Sequence, residues 1–287
     1  MAAVRKFPKK TAENYYCKIP LHGVVAPHSK ARLVVETLKY LMFQRQQIPL
    51  PFEQLKFQQR QECEGRNTDK PTKKPLSLEQ KRWATLVQST EELIENIGSL
   101  FCVCKVSHIL VIFGATIVSP KEVHHIIFTD QTHGNVTDDA KLSTKHCQRQ
   151  FMRAMITNNN LIDAKTLPLT STHMMVFAHR DSGLQWFKPK ANFRMPARGQ
   201  HYTFEVQCGS VQAKEGNGRL ESSDDIPELS SETSSDSAED KAGAACSSLS
   251  VSDSDVPDTH MWFQAPLIIK GVKDKTSRKA SSSDIWM

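Results

Sequence analysis

Apolar positions along the chain gather into a few segments of distinct period. In KARLVVETLKYLMFQRQQ the apolar residues are Leu33, Val34, Val35, Leu38, Tyr40, Leu41, Met42 and Phe43. At 100° per residue they cover most of a helical circumference, and a helix apolar nearly all round belongs in the middle of a domain. Ser29 serves as the predicted N-cap and the helix runs to about residue 46, before Pro49 and Pro51. Residues 58–75 are polar, charged and proline-punctuated, which predicts a loop. A second helix is predicted over about 77–101, with Trp83, Leu86, Leu93, Ile94, Ile97, Leu100 and Phe101 on one stripe. The run SHILVIFG then predicts a buried strand, and EVHHIIF a weaker one after the turn at Ser119-Pro120. A third helix is predicted over 143–156, and further strands over 173–178, 192–195, 202–208 and 262–269.

The third helix carries two apolar stripes. With Cys147 as origin, Phe151, Ala154 and Met155 share one side, which is the core stripe. Met152 and Ile156 fall roughly 140–180° away, beside Arg149 and Arg153. Adaptable methionine beside arginine suits a partner-binding face; the alternative is that another element of the fold covers it. Helices and strands without regular βαβ alternation give an α+β class. The strands before and after residues 213–260 are expected to pair across that long insertion, because closure entropy grows slowly with length.

Composition divides the chain. The 287 residues carry a net charge of +6, but residues 213–260 hold 12 acidic and 3 basic side chains, a local −9, leaving +15 elsewhere. A quarter of that segment is serine, and it is expected to be disordered, since it buries too little apolar area to offset chain entropy. The expected organisation is a flexible tail over 1–20, one domain over 21–271 interrupted at 213–260, and a second flexible tail over 272–287. Ser222, Thr233, Ser237 and Ser250 each have an acidic residue three positions on, and Ser281 follows Arg278-Lys279. These are candidate phosphorylation sites, which would deepen the charge of the insertion. No apolar run reaches the ~18–20 residues that a membrane-spanning helix needs, and no secretory signal is expected.

Candidate chemistry is sparse. Seven scattered cysteines do not read as a disulfide framework. Cys102-x-Cys104 with His108, His124-His125 and His146-Cys147 lack metal-ligand or catalytic spacing. No phosphate loop, dinucleotide fingerprint or nucleophile elbow is present. The expectation is a binding protein, not an enzyme, with no cofactor and no metal. Lys188, Lys190, Arg194 and Arg198 lie among Trp186, Phe187 and Phe193, and such a 186–198 strip could stack and neutralise single-stranded nucleic acid. A solvated or protein-binding edge is the favoured reading, with nucleic-acid binding as the alternative.

Three stretches together carry a resemblance: LMFQRQQIPLPFEQLK (41–56), WFKPKANFRMPARG (186–199) and MWFQAPLIIKG (261–271), supported by VSPKE (118–122) and CQRQFMRAM (147–155). In this order they resemble the comet family, HORMA-like adaptors of the spindle-checkpoint HORMA protein, Mad-two. The resemblance implies a HORMA-like α+β fold, with three helices packed on an antiparallel sheet. It implies binding to the closed conformer of Mad-two and presentation of it to a hexameric AAA+ ATPase of the Pch-two type. The result would be disassembly of mitotic checkpoint complexes and checkpoint silencing, in nucleus and cytoplasm and at the spindle or kinetochore. On the matching positions, Gln44 and the outward face Arg149, Met152, Arg153 and Ile156 would meet the HORMA partner. Met152 stands where the family has an aromatic. Pro189 and Lys190 would engage the ATPase. The long acidic insertion, the extended C-terminus and the basic N-terminus depart from the family pattern.

Overall fold

Proline at the first helical position sets the start of the central helix. Pro27 needs no hydrogen-bond partner there, and its fixed φ is already helical. In the computed structural model, which describes residues 14–64, 77–130, 142–209 and 259–273, strand β1 (Asn14–His22) precedes helix α1 (Pro27–Gln44). The N-cap is therefore Ala26, with no side-chain hydrogen bond, and not Ser29. Ser29 is instead buried inside the helix, its hydroxyl 2.8 Å from that of Thr144. The tail expected over 1–20 is also shorter than drawn, because Ile19 and Leu21 of β1 fill the core.

Helix α2 (Phe52–Glu64) occupies much of the stretch read as a loop. Its sequence is mostly polar and, among its described side chains, only Phe52 and Leu55 reach the core, too short a stripe to register as a period. Ion pairs from Lys39 to Glu53 and from Lys56 to Glu91 tie it to its neighbours. Helix α3 (Leu78–Val103) opens with a capping box: the Ser77 hydroxyl accepts from the Gln80 amide at 3.2 Å, and the Gln80 side chain accepts from the Ser77 amide at 3.1 Å. Strands β2 (Val106–Thr116) and β3 (Ser119–Asp130) form an antiparallel hairpin. Helices α4 (Thr144–Ile156) and α5 (Asn159–Ile162) lead to β4 (Ser171–His179), β5 (Lys188–Lys190), β6 (Gln200–Gly209), β7 (His260–Gln264) and β8 (Ile269–Lys270).

The sheet runs β1-β6-β3-β2-β4-β7-β5, with β8 beside β4. It is mixed, not antiparallel, because β6 lies parallel to both β1 and β3. The expected pairing of the strands on either side of the insertion does not occur. β3, β2 and β4 separate β6 from β7, which pairs with β4. The strand expected over 192–195 is displaced to β5; a turn closed by the Phe193 amide on the Lys190 carbonyl follows it. That loop ends at Gly199, whose φ is +95° and whose Cβ position would lie 3.0 Å from the Pro120 carbonyl oxygen. A side chain there would be strained and crowded.

Ile109, Val111 and Phe113 of β2 face the helices and join Leu33, Val34, Leu38, Leu41 and Ile97 in the main core. Leu110 and Ile112 point the other way, with Val123 and Met175, under Phe193 and Trp262. Helices on one face of a single sheet make this an α+β fold, in keeping with the HORMA-like layout expected. All the described residues belong to one unit, Met1–Val211 with Asp258–Met287. The acidic insertion, up to residue 258, lies outside the described residues, as do Ser222, Thr233, Ser237, Ser250 and Ser281. No helix among the described residues is long and apolar enough to cross a membrane.

Candidate partner-binding face

Helix α4 is fixed at its first turn, at its middle and from below. The Ser143 side chain caps it by accepting from the His146 amide. His28 and Ser29, in the first turn of α1, both bond to Thr144 in the first turn of α4. The Gln150 side chain donates to the Pro20 carbonyl of β1 at 2.9 Å. Cys147, Phe151 and Met155 are wholly buried, as the wheel requires. Arg149 and Arg153 are exposed, and Ile156 keeps 50% of its surface in solvent. Met152 is half-buried against the core, so the second stripe is a shoulder of the helix and not its outermost line.

Gln44 is the last residue of α1 and is half-buried beside the exposed Phe43. The helix stops there because Gln46 takes φ +53°, a left-handed conformation rare outside glycine. The Arg45 amide still reaches Leu41 at 2.8 Å, and the Gln47 amide turns back to Met42 at 2.8 Å.

Just below this turn lies a polar network that sequence patterning does not reveal. Arg45 is 3% exposed and makes a forked ion pair with Glu122 of β3, which is 4% exposed. Its guanidinium also donates to the carbonyls of Ala164 at 3.4 Å and Lys165 at 2.6 Å. His124 lies beside Glu122, 3.3 Å from its carboxylate, and stacks on Tyr202 with centroids 4.9 Å apart. Burial pushes the Glu122 carboxyl up, but the bonds from His124 and Arg45 outweigh it and hold it below the usual carboxylate range. Burial holds His124 neutral despite Glu122, so it acts as an N–H donor. The one sequence signal for this network was an arginine directly after an all-apolar helix.

The other candidates separate. Pro189 and Lys190 lie exposed on β5, at the sheet edge opposite β1. Six strand spacings of ~4.8 Å place that edge about 29 Å from β1, beside which α4 packs. The 186–198 strip does not form one surface. The Trp186 indole donates to Glu92 on the helix side, whereas Phe193 packs on Trp262 across the sheet. His124 and His125 point to opposite faces. Among the described residues, no three His, Cys, Asp or Glu side chains converge as metal ligands do.

His125 sits 3.0 Å from His108, one ring nitrogen to another. Burial, with His108 and His201 nearby, pulls its pKa down to about 3. The folded chain therefore binds fewer protons than the unfolded chain between pH ~6.5 and ~3. The stability contributed by neutral His125 is complete above about pH 6.5 and is lost as pH falls toward 3, at up to ~1.4 kcal/mol per pH unit. Urea midpoints at pH 7, 6, 5 and 4 are expected to show a slope shallower by about one proton in His125→Gln. Equal slopes for both proteins would refute the assignment.

A family model described as "p31comet: Mad1 and Cdc20-bound-Mad2 binding" matches residues 8–218. The chain is 28% identical over 251 residues to the MAD2L1-binding protein of Mus musculus, covering 87% of this chain and 76% of that protein. It is 30% identical over 198 residues to the MAD2L1-binding protein of Homo sapiens, covering 67% of this chain and 71% of that one.

Proposed function

Because the chain belongs to the p31comet family, we propose that it binds the closed conformer of Mad2 through the shoulder of α4 and the end of α1. One observation carries the assignment of the surface: α4 has a fully buried stripe and, on its other side, half-buried Met152 and exposed Ile156 beside Arg149 and Arg153. Methionine moulds to an apolar pocket, and arginine is enriched at the cores of interfaces. Gln44 supplies a polar contact at the end of α1. The relatives are named as binding proteins, and the chain is read as an adaptor of the same kind, not as an enzyme.

The finer reading adds a second partner. Pro189 and Lys190, on the opposite sheet edge, engage a hexameric AAA+ ATPase of the Pch-two type, which converts closed Mad2 to its open form. The outcome is disassembly of checkpoint complexes and silencing of the spindle checkpoint, in nucleus and cytoplasm during mitosis. The wide spacing of the two sites suits an adaptor that holds both partners at once.

Calorimetric titration of the full chain with purified closed-form Mad2 tests the reading. Wild type is expected to bind, and the Arg149→Glu/Arg153→Glu double variant to lose at least about tenfold in affinity with unchanged circular dichroism. Lys190→Glu is expected to keep Mad2 affinity while slowing ATPase-driven conversion. No heat of binding for wild type at tens of micromolar would end the proposal.

A further inference from the structure

The four residues from Gln44 to Gln47 join more of the fold than a helix end requires. Arg45 ties the turn to β3 through Glu122 and to the connection after α5 through the Ala164 and Lys165 carbonyls. Gln47 is fully buried and fully engaged. Its side-chain oxygen accepts from the Thr170 amide at 2.8 Å, and its side-chain nitrogen donates to the Arg45 carbonyl at 2.8 Å and the Pro168 carbonyl at 3.4 Å. Its backbone carbonyl accepts from the Val272 amide at 2.9 Å, while the Gly271 amide donates to the Thr170 carbonyl at 3.1 Å. The boundary drawn at 271 therefore moves outward, because Val272 is anchored.

Gly271 fits against the turn with no room to spare. A Cβ there would lie 2.8 Å from the Gln47 side-chain oxygen, 2.9 Å from a Leu169 methyl and 3.0 Å from the Gln47 carbonyl oxygen. The segment after β8 is thus latched to the same turn that begins at Gln44, the proposed partner contact at the end of α1. The left-handed residue Gln46 between them has φ +53° and is held there by its neighbours, not by preference.

We infer that Arg45 and Gln47 are positioning residues for Mad2 binding, and that the Gly271–Val272 latch on Gln47 sets the orientation of Gln44. The inference rests on the reading of Gln44 as a partner contact. An effect on partner affinity from residues buried behind the surface needs a continuous set of contacts reaching that surface, and the latch, running from Val272 through Gln47 to Arg45, supplies it. Releasing it leaves the Gln47 side chain without the packing of Gly271 and lets the strained Gln46 relax.

Gly271→Ala probes this by steric release, and Val272→Pro by removal of one amide donor. Amide hydrogen exchange on the free full-length chain and calorimetric affinity for purified closed-form Mad2 are both measured. Both variants are expected to lose about tenfold protection at Arg45, Gln46, Gln47 and Thr170, while amides in the middle of α3 keep theirs. Affinity is expected to fall about five- to twentyfold. Wild-type protection at residues 45–47, or wild-type affinity, in both variants overturns the inference. Failure of the wild-type chain itself to bind Mad2 is a separate result that removes the functional reading, whereas exchange in the free chain still reports whether the latch governs the turn.

Discussion

Replacing Arg45 by methionine is expected to lower the unfolding free energy by about 3–5 kcal/mol. Methionine fills a similar volume, so the loss is electrostatic, not a cavity. Glu122 would keep its charge at 4% exposure with only the neutral His124 as donor, and the carbonyls of Ala164 and Lys165 would lose their partner. The pH dependence carries the sign. In wild type the Glu122 pKa lies below its unfolded value, so its stabilisation is present above that value and is lost as acid protonates the folded carboxyl. In Arg45→Met the folded pKa rises above the unfolded one, and the variant regains stability as pH falls. The gap between the two proteins is therefore widest near neutrality; it narrows first as pH falls through the variant's raised pKa and further as pH falls below the unfolded value, where wild type loses its own stabilisation. Arg45→Met/Glu122→Leu is expected to recover most of the loss, because an apolar pair of similar volume leaves no buried charge. Urea unfolding at pH 7 and pH 4 decides it; a single-variant loss under about 1 kcal/mol would mean that the buried pair is not what holds the turn.

Ile156→Glu and Met152→Glu are each expected to weaken Mad2 binding by two orders of magnitude or more, about 3 kcal/mol. A carboxylate driven into an apolar interface beside two arginines gains some pairing, so total loss is not required. The two variants differ in their effect on the free protein. Ile156 is half-exposed and its substitution is expected to change the thermal midpoint little. Met152 packs partly against the core, and its substitution is expected to cost about 1 kcal/mol of stability. Ile156→Glu is the cleaner probe for that reason, a distinction that the helical wheel alone does not draw. Calorimetry with both variants at wild-type affinity would place the interface elsewhere.

Legibility in the sequence followed the range of each interaction. The wheel placed Cys147, Phe151 and Met155 in the core because helical period is local and one buried stripe dominates it. It placed Met152 too far out, because the side chain packs partly against the core. Helix α2 escaped detection because, among its described side chains, only Phe52 and Leu55 anchor it in the core, and its ion pairs run to Lys39 and Glu91 on other helices. Ser29 looked like a cap because serine before an apolar run usually is one. Pro27 starts the helix three residues earlier and turns Ser29 into a buried partner of Thr144.

The central all-apolar helix, the amphipathic second helix, the β2–β3 hairpin and the α4 stripes were determined by the sequence itself, through side-chain period and residues that stop a helix. The family was legible as well, through three long motifs in one order along the chain, two of which lie inside the matched residues 8–218. Strand order, the parallel pairing of β6 with β1 and β3, and the separation of β6 from β7 were decided only in three dimensions. So was the joining of Arg45, Glu122, Gln47 and Gly271 at the end of α1. The physical reason is common to all of these: a strand's period tells which face is buried but not which neighbour it pairs with. A buried arginine or glutamine, likewise, is satisfied by groups far along the chain that only the folded backbone brings within hydrogen-bond reach.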